Sequence, residues 1–166
     1  MLSESSIDEK KYCLNIQNSA RGNYNTGKTK ITPSGNLSGP WIMPSNPNNK
    51  TIGQNNFEGY IVGNFTSATN MTSLYVPDTY YSIDSSAFQG LTSLKELYLS
   101  SNIKFTTIPG SCCYHGAIEN VVFGGHEERI ERKAFLENAI TNMVFPSSLN
   151  YIGVRAFYGG TKMSNV

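Results

Sequence analysis

Residues 130–152, "IERKAFLENAITNMVFPSSLNYI", contain the pattern that decides the fold. An isoleucine opens the stretch, an Ala-Phe pair follows four and five residues later, and three apolar residues come next at a spacing of three and then two. A second isoleucine closes the stretch 22 residues after the first. The same order of residues recurs along the chain, which identifies the stretch as one unit of a repeat.

Five units of this kind fit one register. Their isoleucine segments are "IGQNNF" (52–57), "IDSSAF" (83–88), "IPGSCC" (108–113), "IERKAF" (130–135) and "IGVRAF" (152–157). The apolar triplets between them are Met71/Leu74/Val76, Leu94/Leu97/Leu99, Ile118/Val121/Phe123 and Ile140/Met143/Phe145. The longest interval, from Ile52 to Ile83, contains an insertion at 58–70. A single repeat with insertions at its turns therefore accounts for most of the chain.

Each triplet predicts a short strand. Leu97 and Leu99 alternate with Glu96 and Tyr98. Such a strand points two side chains inward and two outward. The next isoleucine and phenylalanine return the chain and fill the same interior. One unit buries too little apolar surface to offset its conformational entropy, so the units are predicted to stack and to pair their strands.

The repeat resembles the BspA-like leucine-rich repeats, whose pattern is I-x-x-x-A-F followed by L-x-x-L-x-[LIV]-P. The segments that match are "IDSSAFQGLTSLKELYLSSN", "IERKAFLENAITNMVFPSSLNY" and "MTSLYVPDTYYSI". Departures are Asn56 in place of Ala and Cys112–Cys113 in place of Ala-Phe. The resemblance covers about residues 52–166. It implies a right-handed β-rich solenoid with a short parallel β-sheet on its concave face, used for adhesion and partner recognition and not for catalysis.

Two regions are expected. Residues 1–50, rich in Asn, Gly and Pro, are predicted to form an irregular cap or anchoring arm, and residues 51–166 a solenoid of four to five repeats. Met163 and Val166 have the spacing of the first two members of a further triplet. An incomplete last repeat needs a cover, which a continuation, a partner or a second copy would supply. Self-association or assembly through the arm and the last repeat is therefore one expectation.

Composition excludes several classes of function. Thirteen basic and twelve acidic residues leave a net charge of +1, so nothing attracts a nucleic acid or an anionic membrane. No apolar run has the length of a membrane span or of a signal peptide, so membrane insertion and a leader are not expected in this chain. Cys13, Cys112 and Cys113 do not form a disulfide framework.

A phosphate-binding pattern occurs in "RGNYNTGKTK" (21–30). Gly22, Gly27, Lys28 and Thr29 have the spacing G-x-x-x-x-G-K-[ST], which needs a strand before it and a helix that starts at the Lys-Thr pair. The next twelve residues contain two prolines and two glycines, which disfavour a helix. The segment is predicted to be a loop without a nucleotide.

Cys112, Cys113 and His115 are further candidates for chemistry, with His126 and Glu127/Glu128 at the next turn as possible partners in a metal site. Zinc sites need a gap between the two cysteines and a second pair of ligands, and a catalytic Cys-His pair needs a third orienting group. The repeat register instead places Cys113 at the buried Phe position. No catalytic residue, metal site or cofactor is therefore predicted. The charged stretch "GGHEERIERK" (124–133) is predicted to be a solvated turn.

The outward residues of the strands form the candidate binding surface. Alignment of the triplets predicts one polar column, Ser73, Glu96, Asn120 and Asn142, and one column of Tyr75, Tyr98, Val122 and Val144. Tyrosine offers contact area and hydrogen bonding at little cost in entropy, so the pair of columns suits a protein or a glycan. Tyr and Val are also good strand formers, so a purely structural role stays open.

The sequence thus predicts a non-enzymatic recognition or adhesion module that binds a protein or glycan at a cell or particle surface. The alternative is a structural component of a larger assembly, such as a virion decoration or fibre protein. The missing leader, the irregular arm and the incomplete last repeat favour that alternative.

Overall fold

The computed structural model describes residues 69–160 apart from Thr79, together with the backbone of five short strands nearer the N-terminus. The N-terminal strands are β1 (Asn23–Asn25), β2 (Lys28–Ile31), β3 (Ser38–Ile42), β4 (Thr51–Ile52) and β5 (Ile61–Val62). The strands that follow are β6 (Asn70–Tyr75), β7 (Ser82–Ile83), β8 (Glu96–Tyr98), β9 (Thr107–Ile108), β10 (Asn120–Val122), β11 (Arg129–Ile130), β12 (Asn142–Met143) and β13 (Tyr151–Ile152). These described parts of the chain contain no helix.

The apolar triplets build one parallel sheet, which we call the triplet sheet. Its strand order is β12-β10-β8-β6-β3, and every pairing in it is parallel. Leu74, Leu97 and Val121 stand opposite one another across β6, β8 and β10, and all three are buried. The predicted strand alternation is confirmed at these positions, because side chains of one register share one face.

The isoleucines build the other side of the repeat. Strands β9, β11 and β13 form a parallel sheet in which Ile108, Ile130 and Ile152 are in register. Strand β7, with Ile83, lies beside β9 and pairs in parallel with β4, where Ile52 is its partner. Each repeat therefore contributes one strand to the triplet sheet and one to the isoleucine side. The predicted β-rich architecture of stacked parallel strands is confirmed.

Each isoleucine strand leads into a tight turn that is held from repeat to repeat. The backbone N–H of Phe88 donates to the Cys112 carbonyl at 2.8 Å, that of Cys113 to Ala134 at 2.9 Å, and that of Phe135 to Ala156 at 2.8 Å. The Phe position of one repeat thus binds the Ala position of the next. This register confirms that Cys112 and Cys113 replace an Ala-Phe pair.

The turns of the four repeats whose turn residues are described need a left-handed backbone at two positions each. The residue three positions after the isoleucine has φ near +60° in Ser86, Ser111, Lys133 and Arg155. The residue seven positions after it has φ near or somewhat above +60° in Gly90, His115, Glu137 and Gly159. Only glycine adopts this conformation without strain. The spacing of the turn, and not the identity of its residues, therefore decides the local conformation.

The core runs between the two sides of the stack. The largest buried side chains are Tyr80, Phe88, Phe105, Phe135, Met71, Leu74, Leu91 and Leu94. Phe135 and Phe157 stack face to face, with ring centroids 5.4 Å apart. The rings of Phe123 and Phe145 lie 6.0 Å apart and pack against the same core. The stack is therefore held by contacts between equivalent residues of neighbouring repeats.

Buried polar groups satisfy the backbone where the turns break its regular pairing. Asn138 accepts a hydrogen bond from the Ile118 backbone N–H at 3.0 Å and donates one to the Cys113 carbonyl at 2.6 Å. The Ser100 hydroxyl donates to the Tyr80 carbonyl at 2.6 Å. Since unpaired buried peptide groups are costly, these side chains are parts of the fold.

Part of the N-terminal segment pairs with the repeats. Strand β3 pairs in parallel with β6, with Trp41 opposite Leu74 and an irregularity between Gly39 and Pro40. Within the 58–70 insertion, β5 pairs with β2 and β4. The rest of 1–50, the Asn56 and Phe57 positions and the last residues, 161–166, with Met163 and Val166, lie outside the described residues. The predicted division at residue 50 stays a prediction.

Candidate partner-binding face

The outward residues of the triplet sheet stand in two columns. Ser73 pairs with Glu96, Glu96 with Asn120, and Asn120 with Asn142 along the polar column. Tyr75 pairs with Tyr98, and Tyr98 with Val122, while Val144 directly follows the last strand. We call the second column, Tyr75, Tyr98, Val122 and Val144, the outer stripe. The structure brings together the residues that the sequence singled out.

The two tyrosines of the outer stripe contact each other. Their ring centroids are 6.3 Å apart and the rings are tilted by 40°, which is a geometry that interacting aromatic side chains prefer. The Tyr98 hydroxyl donates to a Glu96 carboxylate oxygen at 3.3 Å. Burial, with a smaller contribution from the Glu96 charge, raises the pKa of Tyr98 above its ordinary value. Tyr98 therefore stays a hydrogen-bond donor at neutral pH, aimed at a neighbour of the polar column.

A shallow groove adjoins the outer stripe at Val122 and Val144. Its volume is about 310 Å³, and its lining residues are Asn120, Val121, Val122, Phe123, Gly125, Met143, Val144, Phe145 and Pro146. None of these described lining residues has a charged side chain. Val144, one of them, is 86% exposed. An exposed valine next to an apolar groove favours contact with apolar groups of a partner.

The phosphate-binding pattern has the wrong local structure for a nucleotide site. Lys28 and Thr29 belong to strand β2, which pairs antiparallel with β1, whereas the phosphate-binding loop requires a helix to begin there. Gly22 and Gly27 lie outside the described residues.

The cysteines are part of the core. Cys112 and Cys113 are 1% and 0% exposed, and their sulfur atoms lie 3.3 Å apart. Burial, together with the neighbouring thiol, raises the pKa of Cys113 well above its ordinary value, which disfavours the nucleophilic thiolate. His115 points elsewhere, since its Nδ1 contacts the Glu137 carboxylate and its ring lies against that of Tyr114, with centroids 3.9 Å apart and the planes tilted by 39°. Across the part of the chain that the structure describes, no cluster of three metal-ligating side chains occurs.

The charged stretch at 124–133 is not a fully solvated turn. Glu127 is 0% exposed, and its carboxylate accepts hydrogen bonds from the backbone N–H groups of Gly124 and Gly125 at 2.8 and 3.0 Å. A side chain at Gly124 would overlap the Ser100 carbonyl. The sequence prediction was wrong for Glu127, because its carboxylate accepts hydrogen bonds from backbone N–H groups of a loop that passes close to the preceding repeat.

The family model and the structure of a T. pallidum protein indicate the same fold. A family model described as the BspA type leucine rich repeat region matches residues 60–166 in six copies. The crystal structure of the leucine-rich repeat protein of T. pallidum is similar, with a TM-score of 0.63 at 18% identity, over 88% of this chain and 67% of the other. A leucine-rich cell surface protein of Faecalibacterium prausnitzii A2-165 has a TM-score of 0.39 at 18% identity, over 89% of this chain and 52% of the other.

The curated proteins contain no match to this sequence. Within the described residues, no helix has the length and hydrophobicity needed to cross a membrane.

Proposed function

The chain belongs to the BspA-type leucine-rich repeat family, and on that basis we propose that it is a non-enzymatic recognition module that binds a protein or glycan partner through the outer stripe. The observation that carries the proposal is the continuity of the stripe: three paired strands and the residue after a fourth present Tyr75, Tyr98, Val122 and Val144 in sequence, ending at the groove. A stack of repeats offers such extended surfaces because only its outer side chains are free.

The groove favours a protein over a sugar at this face. Its lining combines valine, phenylalanine, methionine and proline with Asn120 as the polar side chain. Interfaces between proteins are anchored by aromatic and aliphatic side chains seated in such grooves, with polar groups at the rim. The Glu96, Asn120 and Ser73 column supplies that rim beside the stripe.

The roles of the reactive side chains support a function without chemistry. Cys112 and Cys113 fill the core, Glu127 holds a backbone loop, and Asn138 pairs peptide groups of two repeats. These structural roles support partner binding, and not catalysis, as the function. Adhesion of this kind places the module outside a cell or on a particle.

A second candidate function is a structural role in an assembly, such as a virion decoration or fibre. The last described repeat favours it, because Ile152, Val154 and Tyr158 are 49%, 69% and 64% exposed. Exposed apolar residues of this size form the kind of surface that a further repeat or another chain covers.

The test of the first proposal is binding of the purified chain to arrays of extracellular matrix proteins and of oligosaccharides. Replacement of Val144 by Asp and of Tyr98 by Ala is expected to weaken binding to the recognised protein by at least about 30-fold each, as for anchors of an interface. Ile103→Asp is the matched control, since Ile103 is 73% exposed and lies off the stripe. Equal binding by all three variants, or binding to no array member, would overturn the proposal.

Light scattering separates the second candidate from the first. An assembly component is expected to self-associate, and Val154→Asp is expected to abolish that association. A monomer at all concentrations would argue against the assembly.

A further inference from the structure

The turns of the last two described repeats carry a concentration of positive charge. Lys133 and Arg155 occupy the same position of consecutive repeats, and the Lys133 backbone N–H donates to the Val154 carbonyl at 3.2 Å. Arg132 precedes Lys133 in the same turn and is exposed. We call Arg132, Lys133 and Arg155 the basic end. The equivalent residues of the Ile83 repeat are serines, Ser85 and Ser86, so among the described repeats the charge is specific to those of Ile130 and Ile152.

The three cations have no carboxylate partner among the described residues. Glu131, the nearest acid in sequence, pairs with Arg129 at 2.8 Å, and Glu137 contacts His115. Neighbouring repeats bring like charges side by side, which is destabilising unless an anion lies between them. The basic end is therefore an unneutralised surface in a chain whose net charge is only +1.

Exposed apolar surface borders the basic end. Val154 is 69% exposed and Tyr158 is 64% exposed. The Arg155 guanidinium lies 5.5 Å from the centre of the Tyr158 ring, and the Arg129 guanidinium lies 4.0 Å from the centre of the Tyr151 ring. Arg155 and Tyr158 thus place a cation and an aromatic ring next to each other at the basic end. An aromatic ring with one face on a guanidinium still offers its edge and its other face to a ligand.

We propose that the basic end binds a linear acidic polysaccharide, whose carboxylates or sulfates pair with Arg132, Lys133 and Arg155 while the C–H faces of its sugars pack on Tyr158 and Val154. Neighbouring repeats are about 4.8 Å apart in the direction of strand pairing, so a polymer that lies along the stack meets a cation at each of these two repeats. A peptide of acidic residues alone would pair with the cations but would leave Tyr158 and Val154 uncovered.

This site does not depend on the outer stripe. Lys133 and Arg155 follow the isoleucine strands, whereas Tyr98 and Val122 lie on the triplet sheet. Each surface therefore has variants that leave the other unchanged, and failure of one proposal does not decide the other.

The test measures binding of the full chain to oligogalacturonate, to sulfated dextran, to uncharged dextran and to poly-glutamate. The triple variant R132S/K133S/R155S is expected to lose about tenfold or more in affinity for the acidic polysaccharides, since three surface ion pairs are removed. Serine is the residue that the Ile83 repeat carries at these positions, so the turn tolerates it. The preference between oligogalacturonate and sulfated dextran identifies which acid is recognised.

Controls decide between this site and general attraction. The variant K95S/K104S removes charge elsewhere, and V144D alters the outer stripe, and both are expected to bind the polysaccharide within about threefold of the unmodified chain. Thermal unfolding checks that the triple variant folds. The proposal is overturned if the triple variant binds as tightly as the unmodified chain, if poly-glutamate binds as tightly as the polysaccharides, or if no acidic polysaccharide binds.

Discussion

Two repeats with the same motif differ in how deeply they are buried. Ile130 and Ile152 are paired in register on β11 and β13, yet Ile130 is 0% exposed and Ile152 is 49% exposed. Phe135 is 1% exposed, whereas Phe157, stacked on it, is only partly buried. The residues are identical and their turns are alike. The difference teaches that burial depends on neighbouring repeats, because the described residues contain a repeat on each side of Ile130 but on only one side of Ile152.

The backbone of the same two repeats does not differ in this way. Lys133 and Arg155 have φ values of 60° and 59°, and Glu137 and Gly159 are both left-handed. Besides its hydrogen bonds to the next repeat, the turn is closed by hydrogen bonds within each repeat, from the Ala134 backbone N–H to the Glu131 carbonyl and from the Ala156 N–H to the Gly153 carbonyl. Side-chain burial is therefore shared between repeats, while turn conformation is local. Paired substitutions can test this separation.

The largest effect is expected at the phenylalanines. Phe135→Ala leaves a cavity among buried neighbours and is expected to lower the free energy of unfolding by about 3–5 kcal/mol. Phe157→Ala at the partly buried position is expected to lower it by about half as much. Urea unfolding followed by circular dichroism measures both free energies, and equal losses of stability in the two variants would contradict the difference in burial.

The isoleucines should show the same contrast at lower amplitude. Ile130→Ala is expected to cost about 2–4 kcal/mol, since the side chain is fully covered. Ile152→Ala is expected to cost less than about 1.5 kcal/mol, because half of its surface already meets solvent. Thermal unfolding of the two variants under one condition gives the difference directly. An Ile152 variant that unfolds as early as the Ile130 variant would show that another element covers this end.

The smallest effect is expected at the left-handed glycines, and there the repeats should agree. Gly90 and Gly159 have φ values of 74° and 80°. Alanine at either position is expected to cost about 1 kcal/mol, since the penalty arises in the residue's own backbone. A methyl group at Gly90 meets nothing within 4 Å, whereas at Gly159 it meets Glu137 Cγ at 3.1 Å and Cα at 3.4 Å, which adds a small steric cost at that position. Denaturant midpoints that differ strongly between the two variants would contradict a local origin.

The repeat itself could be predicted from the sequence because its information is short-range. The isoleucine and Ala-Phe spacing gave the register of β9, β11 and β13, and the triplets gave that of the triplet sheet. Even the Cys112–Cys113 departure was placed correctly, since a small hydrophobe keeps the same position in the ladder. The two columns of the candidate binding face followed from the same register, although their role in binding stays a proposal.

Other features could not be predicted because they depend on residues far apart in the sequence. The pairing of β3 with β6 has no repeat pattern in a segment that contains Gly39 and Pro40. The burial of Glu127 depends on the close approach of the Gly124 loop to Ser100. The basic end exists only because stacking places Lys133 next to Arg155, two residues that are separated by a whole repeat.

The sequence by itself determined the period, the inward and outward side chains and the family of this protein, because a residue's place in a repeat depends on its near neighbours in the chain. The tertiary structure alone decided which of these equivalent residues are covered, which charges are neutralised and which surface is left open. Those properties arise from contacts between repeats, and one repeat does not contain the information about what lies on either side of it.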